Sequence, residues 1–109
     1  MISSDEVDKA VEFLRVNARP AAQAKANRIY LEEYRKVVKA SIMREAISDA
    51  LGAQEARAYA DARYKTHLEA LREAIEKDEY ARWMMTAAEA KIEAWRTQQA
   101  NARAEGKAY

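Results

Sequence analysis

The sequence predicts an all-α protein, on three observations. Alanine, glutamate, lysine and arginine dominate a chain that holds two glycines and one proline in 109 residues, and these four are strong helix formers. β-branched residues are few and never alternate with polar ones, so no stretch carries the period-two pattern of a half-buried strand. Large apolar residues instead recur three and four apart, as one face of a helix requires. The expected architecture is a helical hairpin or bundle with one very long C-terminal helix, a single domain over residues 1–109 completed by dimerisation. Dimerisation enters because the core is thin. Alanine supplies 25 of the 54 hydrophobic residues, an alanine methyl buries little area, and a chain this short buries only a modest part of its surface alone.

The first helix is expected over about residues 4–18. Ser3 or Ser4 can cap it, and Asp5 and Glu6 place negative charge in the first turn, where the helix dipole favours it. Val7, Ala10, Val11 and Leu14, flanked by Phe13, give it one apolar face. Pro20 disfavours helix at Arg19 and suits the first turn of a new one, so a second helix is expected over 20–47. Its inward face is Ala24, Leu31, Tyr34, Val38 and Ile42, widened by Tyr30 and Val37. Ser48, Asp49 and Gly52 mark a break, followed by a short helix over 53–61 of alanine and charge. From Ala62 to Ala104 nothing interrupts the pattern, and a helix of that length runs roughly 60 Å. Gly106 is expected to end it, with the last residues frayed.

Within the long helix, Tyr64, Leu68, Leu71 and Ile75 form one narrow stripe that a single neighbour would cover, and Met85 and Ile92 continue it with the drift of a seven-residue repeat. The stretch EYARWMMTAAEAKIEAWRT, residues 79–97, departs from that economy. Tyr80, Trp83, Met84, Ala87, Ala94 and Trp95 lie around the other side, so the apolar arc widens to about 200°, roughly twice what one core-facing helix needs. Only Lys91 interrupts it. Either the first helix folds back over this second face or a second copy covers it. Aromatics and methionine are enriched at association surfaces, and the thin core argues the same way, so a homodimer through Tyr80, Trp83, Met84, Ala87 and Trp95 is expected. Trp83 and Trp95 as ordinary core residues of a monomeric three-helix bundle is the competing reading.

Charge narrows the function classes. The formal net charge is +1, so no bulk attraction draws the chain to nucleic acid or a membrane surface. The distribution is uneven, with seven basic residues against Glu32, Glu33 and Glu45 between positions 19 and 47. Lys25, Arg28, Arg35, Lys36 and Lys39 share a sector of about 80° on the second helix, interrupted by Glu32. Such a ridge suits phosphate contacts, with Tyr30 or Tyr34 near enough to meet a base. It suits equally well an ion-paired packing against Glu69, Glu73 and Glu76, and the near-zero net charge favours that packing over nucleic-acid binding.

No residue pattern points to catalysis. There is no cysteine, hence no disulfide, thiolate ligand or thiol nucleophile. His67 is the only histidine and lacks the Glu-x-x-His spacing of helical-bundle metal sites, because Tyr64 stands three residues before it. Glu69, Glu73 and Glu76 share a face with Arg72 and Lys77 nearby and read as a solvated helix surface. The two glycines are isolated and make no phosphate loop. No enzyme activity, cofactor or metal is expected. The opening residues lack the basic flank and apolar run of a signal peptide, and no stretch approaches the ~18 apolar residues of a membrane span, so no membrane association and a cytoplasmic location are expected.

Residues 76–105, EKDEYARWMMTAAEAKIEAWRTQQANARAE, with ALREAIEK just before them, resemble the C-terminal half of small helical proteins of unassigned function encoded by temperate phages and prophages. Members of that group occur among replication and recombination genes. The resemblance implies an accessory or adaptor beside DNA-processing proteins, with an unidentified protein partner. It carries over no functional residues.

Overall fold

A computed structural model describes the backbone of residues 1–108 and the side chains as far as Gly106. The described chain is all-α, with no strand among the described residues: α1 spans Ser4–Glu45, α2 Leu51–Ala60 and α3 Ala62–Ala108. None of these helices is long and apolar enough to cross a membrane.

Ser3 starts α1, its Oγ accepting from the Glu6 amide at 3.2 Å, so one of the otherwise unpaired first-turn donors is satisfied. The expected break at Pro20 does not occur. Proline removes one amide and leaves the Val16 carbonyl without its partner four residues on, but Val16 and Pro20 are both exposed. Water can satisfy that carbonyl, and the helix formers on either side carry the helix through. The separate helices expected over 4–18 and 20–47 are therefore one.

The next break falls over residues 46–50, where the Asp49 amide bonds to the Ala46 carbonyl at 2.9 Å and the Gln54 side chain donates to the Asp49 carbonyl at 2.8 Å. Gly52 lies inside α2, and no described glycine has positive φ. The short helix thus begins two residues before the expected Ala53. It stops at Ala60 because Asp61 is extended and caps α3 instead, its Oδ1 accepting from the Arg63 amide at 2.8 Å. Gly106 does not end α3, since without the left-handed conformation a glycine only weakens a helix, by about 1 kcal/mol relative to alanine. The expected fraying of the last residues extends to Tyr109, which lies outside the described residues.

The chain divides into two compact units, one of Met1–Ala21 with α3 from Tyr80 onward, the other of Ala22–Glu79. In the first, the Ile2 amide donates to Gln98 Oε1 at 3.1 Å, so the start of α1 lies beside the far end of α3 and the two run antiparallel. Val7 and Ala10 are buried there, with Phe13 and Leu14 half-buried and Val11 exposed. In the second unit Ile42, Ala46, Ala58, Leu71 and Ala74 are buried, and α1 again runs antiparallel to α3. Ala24, Leu31 and Val38 of the expected inward face are half-buried, whereas Tyr30, Tyr34 and Val37 are exposed.

The inward row of α3 differs from the expected stripe. Its covered positions are Tyr64, His67, Leu71, Ala74 and Asp78 in one unit, then Ala81, Met85, Ala88, Ile92 and Trp95 in the other. Within each unit steps of three and four alternate, the seven-residue repeat that an antiparallel neighbour covers. Leu68 and Ile75 stand off this row and are each 39% exposed. Tyr64, Leu71, Met85 and Ile92 of the expected stripe do lie on the row, but the large residues of the first half place its axis roughly 50° to one side, because the row uses alanine, histidine and aspartate at positions where bulk is not needed.

Candidate functional site

Four of the five residues singled out for self-association form one exposed face of α3. Tyr80 is 68% and Trp83 62% exposed, and Met84 and Ala87 are exposed beside them. The fifth, Trp95, is half-buried on the inward row with Ile92. At 100° per residue the inward row and the line through Tyr80, Trp83 and Ala87 lie about 150° apart, so α3 presents two faces in this unit and only one is covered.

The exposed face borders an open groove of about 270 Å³ lined by Ala10 and Phe13 of α1 and by Met84, Ala87 and Ala88 of α3, with Glu6, Lys9 and Lys91 at its rim. The Arg82 guanidinium sits over the Trp83 ring, 5.4 Å from its centroid, within cation–π range. Further along the same line Ala90, Ala94 and Thr97 are exposed, and the Thr97 hydroxyl donates to the Glu93 carbonyl at 3.2 Å. That bond satisfies the hydroxyl within the helix, so the exposed Thr97 side chain presents no unpaired donor. The face is thus apolar for five turns, bulky at one end and small at the other.

The basic ridge of α1 is divided by its partners. Arg28 donates to Asp78 at 2.5 Å and to Glu32 at 2.6 Å, and those two hydrogen bonds, Asp78 first, raise its pKa further above the ordinary arginine value. Lys36 pairs with Glu33 at 3.1 Å. Lys39 donates to the Tyr59 hydroxyl at 2.8 Å, sits 4.7 Å above the Tyr59 ring centroid and lies 3.9 Å from Glu55. Lys25 and Arg35 have no ion pair among the described residues. The acids that answer the ridge are therefore Asp78, Glu55 and two neighbours on α1. Glu69, Glu73 and Glu76, offered as its counter-charges, are exposed and take no part. Arg35, Lys36 and Lys39 line a cleft with Tyr59 and Tyr64, and Tyr59 meets Tyr64 edge to face at 5.3 Å.

His67 Nε2 lies 2.7 Å from the Leu31 carbonyl oxygen. A carbonyl only accepts, so this nitrogen carries the proton and donates. The ring also packs 5.8 Å from Tyr34, which stacks on Tyr30 at 5.7 Å. Among the described residues no three His, Cys, Asp or Glu side chains converge on a point that would hold a metal ion. Sequence reading missed Asp78, whose inward position was hidden because α3 was expected to bury only apolar side chains there. Its signal was the continuation of the three-four spacing through a charged residue.

No protein-family model matches the chain, and no curated protein or solved structure matches it.

Proposed function

We propose that this protein is a non-enzymatic helical adaptor that self-associates through the exposed face of α3 and offers its charged surfaces to a protein partner. The observation that carries this reading is the exposure of Tyr80, Trp83 and Met84 together on a helix whose other face is already packed. Aromatic and methionine side chains grouped in this way mark association surfaces. The resemblance of residues 76–105 to phage and prophage proteins supports a setting beside DNA metabolism, in the cytoplasm.

The test is solution mass by light scattering over a dilution series, for the parent chain and for Trp83→Glu/Met84→Glu. A dimer that the double variant turns into monomer of unchanged helical circular dichroism is expected. A parent chain that stays monomeric at every concentration overturns the reading.

The competing function, a nucleic-acid-binding module, draws support from the cleft in which Arg35, which has no ion pair among the described residues, stands with Lys36 and Lys39 beside Tyr59 and Tyr64. Commitment of Arg28 to Asp78 weakens it, since that guanidinium is not available to a phosphate without breaking two hydrogen bonds. Titration of a single-stranded oligonucleotide at low salt decides between them. Binding that falls steeply with added salt would favour the ridge as a phosphate surface, and no binding would end this alternative.

A further inference from the structure

We infer that the second copy lies antiparallel along α3 in one register, with Tyr80 opposite the partner's Thr97, Trp83 opposite the partner's Ala94 and Ala87 opposite the partner's Ala90. The inference rests on the proposed self-association and specifies its geometry. Tyr80, Trp83, Ala87, Ala90, Ala94 and Thr97 repeat at alternating steps of three and four and are all exposed, so a second helix can follow them as one seam.

Size selects the direction. In a parallel, in-register pair Trp83 would meet its own copy and hold the helices apart, so Ala87, Ala90 and Ala94 would face a gap that forfeits contact. Reversing one helix sets each large residue against a small one along the whole seam. The internally bonded hydroxyl of Thr97 lets its side chain meet the tyrosine ring without an unsatisfied polar group.

Charge selects the register. With Trp83 opposite the partner's Ala94, one flank sets Thr86 beside the partner's Glu93 and Glu79 beside the partner's Ala100, so that no like charges face each other there, while Arg96 keeps its pairing with Glu93 of its own helix at 3.3 Å. The other flank sets Met84 beside the partner's Lys91, with no like charges in contact. Sliding the helices by one heptad, so that Trp83 faces the partner's Asn101, brings Lys91 against its own copy and Glu93 against its own copy. Like charges so placed disfavour that register. The outward row also defines where the seam stops, because its continuation before Tyr80 is Glu76, Glu73 and Glu69, which are exposed.

The absence of cysteine makes the register measurable by single-cysteine variants and a short thiol cross-linker. Glu79→Cys and Ala100→Cys lie on the flank of the seam, opposite each other in the inferred register, and far from their own copies. Cross-linked dimer from the mixed variants, and its loss when either is used alone, is the expected result. Cross-linking of each variant to itself would mean a parallel pair and overturn the inference while leaving self-association standing. Stronger cross-linking of Thr86→Cys with Ala100→Cys would mean the slid register and overturn it too. A monomeric mass for the parent chain would overturn both this geometry and the function it rests on.

Discussion

Leu71 and Leu68 stand three residues apart on α3, yet Leu71 is 5% and Leu68 39% exposed. Replacing each in turn by alanine removes the same three carbons, about 2.4 kcal/mol of transfer free energy at roughly 0.8 kcal/mol per buried methylene. At Leu71 nearly all of that is lost and the buried neighbours leave a partial cavity, so Leu71→Ala should destabilise by about 3 to 4 kcal/mol. At Leu68 only the covered fraction counts and the site opens to water, so the cost should be at most about 1.5 kcal/mol. Urea unfolding followed by circular dichroism at one fixed protein concentration measures both. Thermal midpoints should separate by roughly 8 °C or more on the usual scaling for a domain near this size. Leu68→Ala costing as much as Leu71→Ala would refute the inward row and restore the stripe that the large residues alone suggested.

Pro20→Ala should stabilise the chain, by about 1 to 3 kcal/mol, because interior proline is about 3 kcal/mol less favourable than alanine in a helix and the exposed ring takes no packing with it; a lower midpoint in urea would contradict a continuous α1. Hydrogen bonds from the Arg63 side chain hold Glu45 and Asp61 below the ordinary carboxylate range. Their contribution is therefore present above the unfolded values near pH 4 and is lost as pH falls through the lower folded values. Unfolding midpoints against pH should fall more steeply below about pH 4 in the parent than in Arg63→Gln, and parallel curves would remove that pair from the account. Arg28→Met should destabilise more than Arg28→Met/Asp78→Leu, because the single change strands the largely covered Asp78 carboxylate and the double change removes it. Additive costs in that cycle would show the pair to be uncoupled.

Fold class and the long C-terminal helix were legible because composition and spacing act locally on helix formation. Pro20 misled because a proline rule describes a preference of one residue, whereas continuation depends on whether the orphaned carbonyl can meet water and on the helix formers on both sides. The inward row misled for a related reason. Ala74, His67 and Asp78 occupy it while Leu68 and Ile75 do not, and which side of a helix is covered is settled by the neighbour that lies there. Capping was nearer to readable. Ser3 was one of two candidates, but Asp61 was assigned to the end of a helix when its carboxylate starts the next one.

The exposed face was visible in the sequence for a reason that also limits what it says. An apolar arc of about 200° is more than one neighbour can cover, so surplus apolar surface on α3 follows from counting alone. Which tryptophan belongs to the surplus does not. Trp83 and Trp95 are twelve positions apart, about 120° around the helix, and only the observed inward row assigns Trp95 to the covered side and leaves Trp83 outward. The two together explain why alanine is so frequent between them. On the inward side Ala81 and Ala88 let α1 approach, and on the outward side Ala87, Ala90 and Ala94 leave room for something as close. Alanine kept on both faces of one helix, with bulk confined to one end of the outward row, is a pattern that packing on one side would not require.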